Sequence, residues 1–290
     1  MTSLDRARTV AEARESGSAW LRSAGVPTAE ADAELLIGHV LGLSRGGVQA
    51  AAVTGAALND RARSELVEAF SRRARREPLQ HITGSAAFRS LELQVGPGVF
   101  VPRPETESVT QLALDVLAEV PGTPRAVDLG TGSGAIALAL ANEVPHAEVW
   151  AVENSPRAFV WTRRNFRALG TPTSHLVFAD LADALPELDG TVDVVVSNPP
   201  YIPLAAVPRD PEVRLFDPAH ALYGGTDGLD VVRRLSATAR RLLRPGGTLV
   251  IEHGEQQAAA IAELLAHDGW RAIATHQDLL HRDRATSALR

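Results

Sequence analysis

The chain has 290 residues, 45% of them hydrophobic, with a formal net charge of −6 and no cysteine. It is long enough for one large folded domain or two, and the missing cysteines exclude disulfides, thiolate metal sites and cysteine nucleophiles. The acidic balance argues against indiscriminate nucleic-acid binding, which rests on neutralising phosphates with a basic surface.

The polar stretch Met1 to Arg6 carries no signal-peptide apolar core, and no apolar run is long enough to span a bilayer, so a cytoplasmic protein with no membrane attachment is expected. Up to about residue 76 the pattern is helical, with Leu35, Leu36, Val40 and Leu41 spaced for a buried face. Pro27-Thr28 and Leu58-Asn59-Asp60 read as helix starts and Pro78 as the stop to the last helix. Residues 1–77 therefore form a small helical domain without a catalytic cluster, suited to partner recognition or to stabilisation. All 29 basic residues are arginine, a compositional bias that carries no functional weight. The cluster Arg72, Arg73, Arg75 and Arg76 reads as a solvated helix end complementing the macrodipole, or as a face for an RNA or acidic partner.

Over residues 78–103 the period changes. Leu91, Leu93 and Val95 alternate, and Gly96-Pro97-Gly98 precedes Val99-Phe100-Val101, the pattern of a hairpin linker. Residues 104–290 form the third part. There, apolar strands at Ala126–Leu129, Glu148–Val152, His175–Phe178, Val192–Ser197 and Thr248–Ile251 alternate with helices from Ala135, from Pro156 and over about 228–243. Such alternation predicts an α/β, doubly wound, mostly parallel sheet, with ligands outside the carboxyl ends of its strands.

The first of these strands runs into Asp128-Leu129-Gly130-Thr131-Gly132-Ser133-Gly134-Ala135. Glycines at such a turn let the backbone approach a ligand closely, or serve only a tight turn and close helix packing. The segment also satisfies the dinucleotide pattern loosely, so acids at the strand ends have to discriminate. Glu153 ends the second strand, where doubly wound nucleotide sites place an acid on the ribose hydroxyls. Asp128 suits the ammonium or sulfonium charge of S-adenosylmethionine better than a pyrophosphate. Asp180, after the third strand, is placed to accept the adenine amino hydrogens. Taken singly, Glu153 and Asp180 also read as helix caps or exposed acids.

Asn198-Pro199-Pro200-Tyr201 follows the fourth strand. A planar nitrogen has a delocalised lone pair, so a site that methylates it must supply acceptors for its hydrogens and a face for its plane. Asn198 offers an amide carbonyl, Pro199 is biased from helical backbone by the next proline, and Tyr201 adds a flat aromatic surface. A rigid strand exit with Asn198 capping a turn accounts for the same residues.

Together, Asp128 to Gly134 and Asn198-Pro199-Pro200-Tyr201 resemble the class I S-adenosylmethionine-dependent methyltransferases that act on amide or amino nitrogens. The segment Phe100-Val101-Pro102-Arg103-Pro104-Glu105-Thr106-Glu107 narrows the resemblance to the protein-(glutamine-N5) methyltransferases, which modify the Gly-Gly-Gln loop of class 1 peptide-chain release factors. Gln80 to Gly84, Phe88, Glu252-His253-Gly254 and the tail Asp278 to Arg290 are similar to family positions as well, as is Ala221 to Leu229. Asp217-Pro218 departs from the usual Glu-Pro and shortens that side chain by one methylene.

The resemblance implies a seven-stranded Rossmann-like sheet, S-adenosylmethionine as cofactor with S-adenosylhomocysteine as product, and class 1 release factors as partners recognised by the helical domain. Asp128, Gly130, Thr131, Gly132, Gly134, Glu153, Asp180 and Asn198 would line the cofactor. Asn198, Pro199, Pro200 and Tyr201 would hold the substrate: Asn198 takes one N–H and donates to the substrate carbonyl, the Pro199 carbonyl takes the other N–H, and Tyr201 packs on the glutamine plane. Arg103, Glu105 and Glu107 either contact cofactor or substrate or form a salt-bridged hinge with a capped helix beginning near Thr106. His81 and His253 lack partners at metal-ligand spacing and read as packing residues, so no metal is expected. A monomer with no stable nucleic-acid partner is expected. A glutamine methyltransferase for a ribosomal protein remains open, as does an adenine-N6 or guanine-N2 nucleic-acid methyltransferase, which needs a basic groove for an extruded base. A binding protein with a vestigial cofactor fold is disfavoured by intact Asp128, Glu153 and Asn198, and a dehydrogenase by the asparagine-proline loop.

Overall fold

In the computed structural model residues 3–290 are described, so Met1 and Thr2 of the polar N-terminal stretch lie outside the described residues. The chain opens with helices α1 (Val10–Ser23), α2 (Ala29–Leu41), α3 (Arg45–Val53), α4 (Asp60–Ala74) and α5 (Leu79–Thr83). Side-chain oxygens of Thr9, Ser44 and Asn59 accept from the Glu12, Gly47 and Ala62 amides and so start α1, α3 and α4. Leu21, Leu36, Ile37, Leu66 and Phe70 are fully buried between them. Leu35, by contrast, is 41% exposed, because successive helical residues are turned by about 100° and Leu36 takes the core position. Pro78 does more than stop α4: it is the N-cap of α5.

A two-stranded antiparallel hairpin follows, β1 (Ser85–Phe88) with β2 (Leu91–Gln94). Then come α6 (Pro104–Glu119), β3 (Arg125–Leu129), α7 (Ala135–Glu143), β4 (Glu148–Glu153), α8 (Pro156–Leu169), β5 (Ser174–Phe178) and β6 (Val192–Ser197). The remainder is α9 (Pro211–Phe216), α10 (Ala219–Leu222), α11 (Asp230–Leu242), β7 (Leu243–Glu252), α12 (Ala258–His267), β8 (Arg271–Gln277) and β9 (Asp283–Leu289). The seven-stranded sheet has the order β5-β4-β3-β6-β7-β9-β8. It is parallel except at β9, which runs antiparallel to both neighbours. Ala126, Val194 and Val196 face one apolar layer with α6 and α7, while Val127, Val195 and Leu249 face the other with α11 and α12. Burial on both faces is why Val194-Val195-Val196 of β6 reads as an unbroken apolar run. The chain winds from β3 towards β5 on one side and from β6 towards β7 on the other, so strand order reverses between β3 and β6. That reversal opens the crevice where doubly wound sheets take their ligands.

By their contacts the residues fall into two units. The first holds the chain up to Gly84 together with Pro208–Phe216; the second holds Ser85–Val207 and Asp217–Arg290. In the first unit Glu212 accepts from Arg73 at 2.7 Å and from Arg76 at 2.7 and 2.5 Å, and Arg73 also reaches Asp32 at 2.6 Å. Arg73 is 5% exposed. Arg73 and Arg76 are thus members of an internal ion-pair cluster, which corrects the reading of this arginine run as a solvated helix end or an open basic face. A segment from far along the sequence supplies the missing acid. Arg72 pairs with Glu77 and Arg75 donates to Ser71.

Candidate active site

The loop after β3 is pinned to the neighbouring strand: the Gly130 and Thr131 amides each donate to the Val152 carbonyl at 2.9 Å. Gly130 and Gly132 have φ of +76° and +60°, and a Cβ on either would point into open space. Their positive φ demands glycine, and the vacant surroundings leave bare backbone facing the crevice. Gly134 shares the positive φ, at +89°, but a Cβ there would lie 3.1 Å from Phe166 and 3.3 Å from Thr162, so its glycine also serves the packing of α7 on α8.

Asp128 is fully buried. Its Oδ2 accepts from the Thr131 hydroxyl at 2.5 Å and the Ala137 amide at 3.2 Å, whereas Oδ1 has no partner. Burial pushes its carboxyl up to about 7, against the hydrogen bonds from Thr131 and Ala137. Glu153, the last residue of β4, accepts from the Ser155 amide at 2.7 Å and the Gly132 amide at 2.8 Å. Burial raises its pKa too, opposed by those two amides. Asp180 is a half-buried residue whose carboxylate is held by Arg234, by Asn154 Nδ2 at 3.1 Å and by the Ala182 amide at 3.0 Å. The bare glycine backbone and the unpartnered oxygen of Asp128 fit a ligand that is close to the chain and cationic.

The tetrapeptide leaves β6 beside this loop, since β6 is the parallel neighbour of β3, with Asp128 opposite Val196. Asn198 Nδ2 donates to Thr106 Oγ1 at 3.3 Å. Pro199 is buried and its carbonyl accepts no backbone hydrogen bond from the described residues. The motif's exit is fastened to the strip after α10: the Ile202 amide donates to the Leu222 carbonyl at 2.8 Å and the Gly224 amide to the Ile202 carbonyl at 2.9 Å. A Cβ on Gly224 would sit 2.4 Å from the Pro200 carbonyl, and one on Gly228 2.3 Å from that of Tyr201. Gln257 Nε2 donates to the Tyr201 carbonyl at 2.8 Å. Burial, and then the negative charge of Glu252, push the Tyr201 hydroxyl far above its ordinary pKa, so the ring works as a neutral surface.

In the linker motif Arg103 pairs with Asp217 at 2.7 Å and lies over the Phe100 ring. Glu105 pairs with Arg282 of the β8–β9 turn at 3.0 Å, and Glu107 accepts from the Arg89 amide at 3.0 Å. The helix here starts at Pro104, with Arg103 as its N-cap. His253 is a neutral packing residue: Nδ1 donates to the Gly254 carbonyl and Nε2 accepts from Thr286, both at 2.9 Å, and burial lowers its pKa. His81 is buried in the helical unit. Among the described residues no cluster of His, Asp or Glu is arranged to hold a metal ion, and no helix is long and apolar enough to cross a membrane. Two further residues at the site are Thr106 and Glu252. The sequence places Thr106 near a helix start and Glu252 in a segment similar to family positions, with no signal that either converges on Asn198.

A glycine loop after the first strand, an acid ending the second and a polar-aromatic tetrapeptide after the fourth define a Rossmann-like methyltransferase. A methyltransferase from Pyrococcus furiosus shares the fold, with a TM-score of 0.53 at 22% identity over 76% of this chain and 97% of that one. Family profiles match in two places, a PrmC N-terminal domain over residues 12–84 and a methyltransferase small domain over residues 90–222. A release factor glutamine methyltransferase from Streptomyces coelicolor is 49% identical over 92% of this chain and 93% of its own length. Another from Mycolicibacterium smegmatis is 47% identical over 99% of both. The chain belongs to the release factor glutamine methyltransferase family.

Proposed function

We propose that this protein methylates the side-chain amide nitrogen of the glutamine in the Gly-Gly-Gln motif of class 1 peptide-chain release factors, with S-adenosylmethionine as donor and S-adenosylhomocysteine as product. The observation that carries this reading is the exit of the glycine loop and of Asn198-Pro199-Pro200-Tyr201 from adjacent parallel strands, at the same end of the sheet. The cofactor, when bound, supplies an electrophilic methyl group on a sulfonium. Gly130 and Gly132 let it approach the backbone, Asp128 balances its positive charge, Thr131 holds Asp128 in place, Glu153 takes the ribose hydroxyls and Asp180 the adenine edge. Asn198 Oδ1 and the Pro199 carbonyl accept the two hydrogens of the substrate amide, and this aims the nitrogen lone pair at the methyl carbon. Pro200 and Tyr201 give the flat glutamine side chain a rigid surface.

Orientation and preorganised acceptors carry the rate here, because the nitrogen loses its proton readily once it is methylated. Arg103, Glu105 and Glu107 keep α6 and the tail in register through their ion pairs and hydrogen bonds. The helical unit recognises the release factor, and the enzyme acts as a cytoplasmic monomer without a stable nucleic-acid partner. Peptide mass spectrometry of a purified class 1 release factor, incubated with this protein and S-adenosylmethionine, tests the assignment. One added methyl on the Gly-Gly-Gln glutamine is expected. An unmodified release factor, with label on a ribosomal protein or on RNA or DNA instead, would overturn it.

A further inference from the structure

Ser197 pairs with Ile251, so Asn198 and Glu252 follow at the same level of the adjacent parallel strands β6 and β7. On its other side Glu252 pairs with Ala285 of β9. It is 2% exposed, and a carboxyl group this deep requires donors or a cation. The hydrogen-bonding side chains that act on its carboxyl are Thr106 and Asn198, and Oε2 has no partner. Thr106, itself 4% exposed, also accepts from Asn198 Nδ2 at 3.3 Å. Three side chains from α6, β7 and the loop after β6 thus share one buried polar node.

An asparagine amide donates at one end and accepts at the other, and the two ends are nearly equal in shape. If it turns over, the substrate N–H meets an NH₂ group and the site fails. Acceptors at both Thr106 and Glu252 make only one orientation favourable, with Nδ2 held inward and Oδ1 left for a ligand. We infer that Glu252, together with Thr106, is a positioning residue that fixes the Asn198 amide with its oxygen turned to the substrate nitrogen. The inference rests on the role given to Asn198 above.

The charged and titratable groups facing Glu252 are Arg284 from β9 and Glu105 from α6, with the Tyr201 hydroxyl from the loop after β6. Burial raises Glu252 to about 7, against the Thr106 and Asn198 hydrogen bonds and the Arg284 charge. The ionised carboxylate only accepts, whereas the protonated form also donates and weakens the preference. Turnover at saturating cofactor should therefore fall as pH drops through about 7.

The test is steady-state methylation of a full-length release factor by Asn198→Ala, Glu252→Ala, Glu252→Gln and the Asn198→Ala/Glu252→Ala double variant. Glu252→Ala is expected to lose about 100-fold in kcat, with KM for both substrates within about threefold. In the Asn198→Ala background the same change should cost no more than about threefold, since a positioning residue has nothing left to position. Glu252→Gln is expected to keep at least about a tenth of kcat and to lose the pH dependence. A folded Glu252→Ala variant with near-normal kcat, or losses that multiply in the double variant, would overturn the inference while leaving Asn198 in its role. Undiminished kcat in Asn198→Ala would remove both. Should Glu252→Ala melt early, Glu252→Gln decides alone, and an unchanged pH profile in it counts against the proposal.

Discussion

At the scale of single residues, Asp128 and Glu153 show how burial raises the pKa of a carboxyl. Asp128 titrates at about 7 because it is desolvated, and its Oδ1 has no donor to satisfy it. A cation against that oxygen binds the ionised form, so cofactor affinity should rise with pH. For a carboxyl titrating at about 7 the gain between about pH 6 and pH 8 is about tenfold. Calorimetric titration with S-adenosylmethionine on wild type and Asp128→Asn separates this from titration of the cofactor itself: the slope attributable to Asp128 is the part the variant loses. Equal slopes in both proteins would place the cation elsewhere. The place of Asp128, in a strand that runs into the glycine loop, was legible in the sequence. Its support by Thr131 was not, because a hydroxyl three residues on carries no pattern of its own.

Elements explain the glycines better than residues do. The run Gly224-Gly225-Thr226-Asp227-Gly228 was visible as part of a segment similar to family positions, but its reason is tertiary: Gly224 and Gly228 lie flat against the carbonyls of Pro200 and Tyr201. A methyl group at Gly224 would push the strip after α10 off the tetrapeptide and break the Ile202–Tyr223 bridge. Gly224→Ala should lower stability by about 1–3 kcal/mol, as overpacking does, and reduce kcat while leaving cofactor affinity intact. Thermal melting with cofactor titration checks this, and wild-type turnover would show the strip does not shape the site. The central strands were readable because burial on both faces makes them mostly apolar. α12, β8 and β9 were not, since β8 is an edge strand with most side chains exposed and its alternation is too weak to stand out. Their contribution is nonetheless specific: the β8–β9 turn delivers Arg282 to Glu105, and β9 flanks Glu252.

For the whole molecule, the least legible feature is that the first unit is not continuous in sequence. Periodicity marks helices, but nothing in Pro208–Phe216 announces that it belongs with the first 84 residues. Charge shows why it does. Arg73 is buried, Asp32 neutralises it, and Arg76, with φ of +68° just past the end of α4, brings a second cation that Asp32 alone would leave uncompensated. Glu212 supplies the balancing charge through both guanidinium groups. Burial pushes its carboxyl up, but the hydrogen bonds from Arg76 and Arg73 outweigh this and hold it well below its ordinary value of 4.5. A carboxyl whose pKa is depressed by folding contributes stability that is complete above its unfolded pKa and is lost as pH falls through the folded one. Glu212→Gln should therefore cost the helical unit about 3 kcal/mol at pH 7, near the low end for breaking a buried pair because Asp32 still holds Arg73. The difference from wild type should shrink as pH falls below about 4.5, where the unfolded chain takes up a proton that folded Glu212 does not. Hydrogen-exchange protection of the α4 amides reads this unit separately from the sheet. A difference that stays constant from pH 7 down to about pH 3 would mean that Glu212 acts through shape and packing, not through its charge.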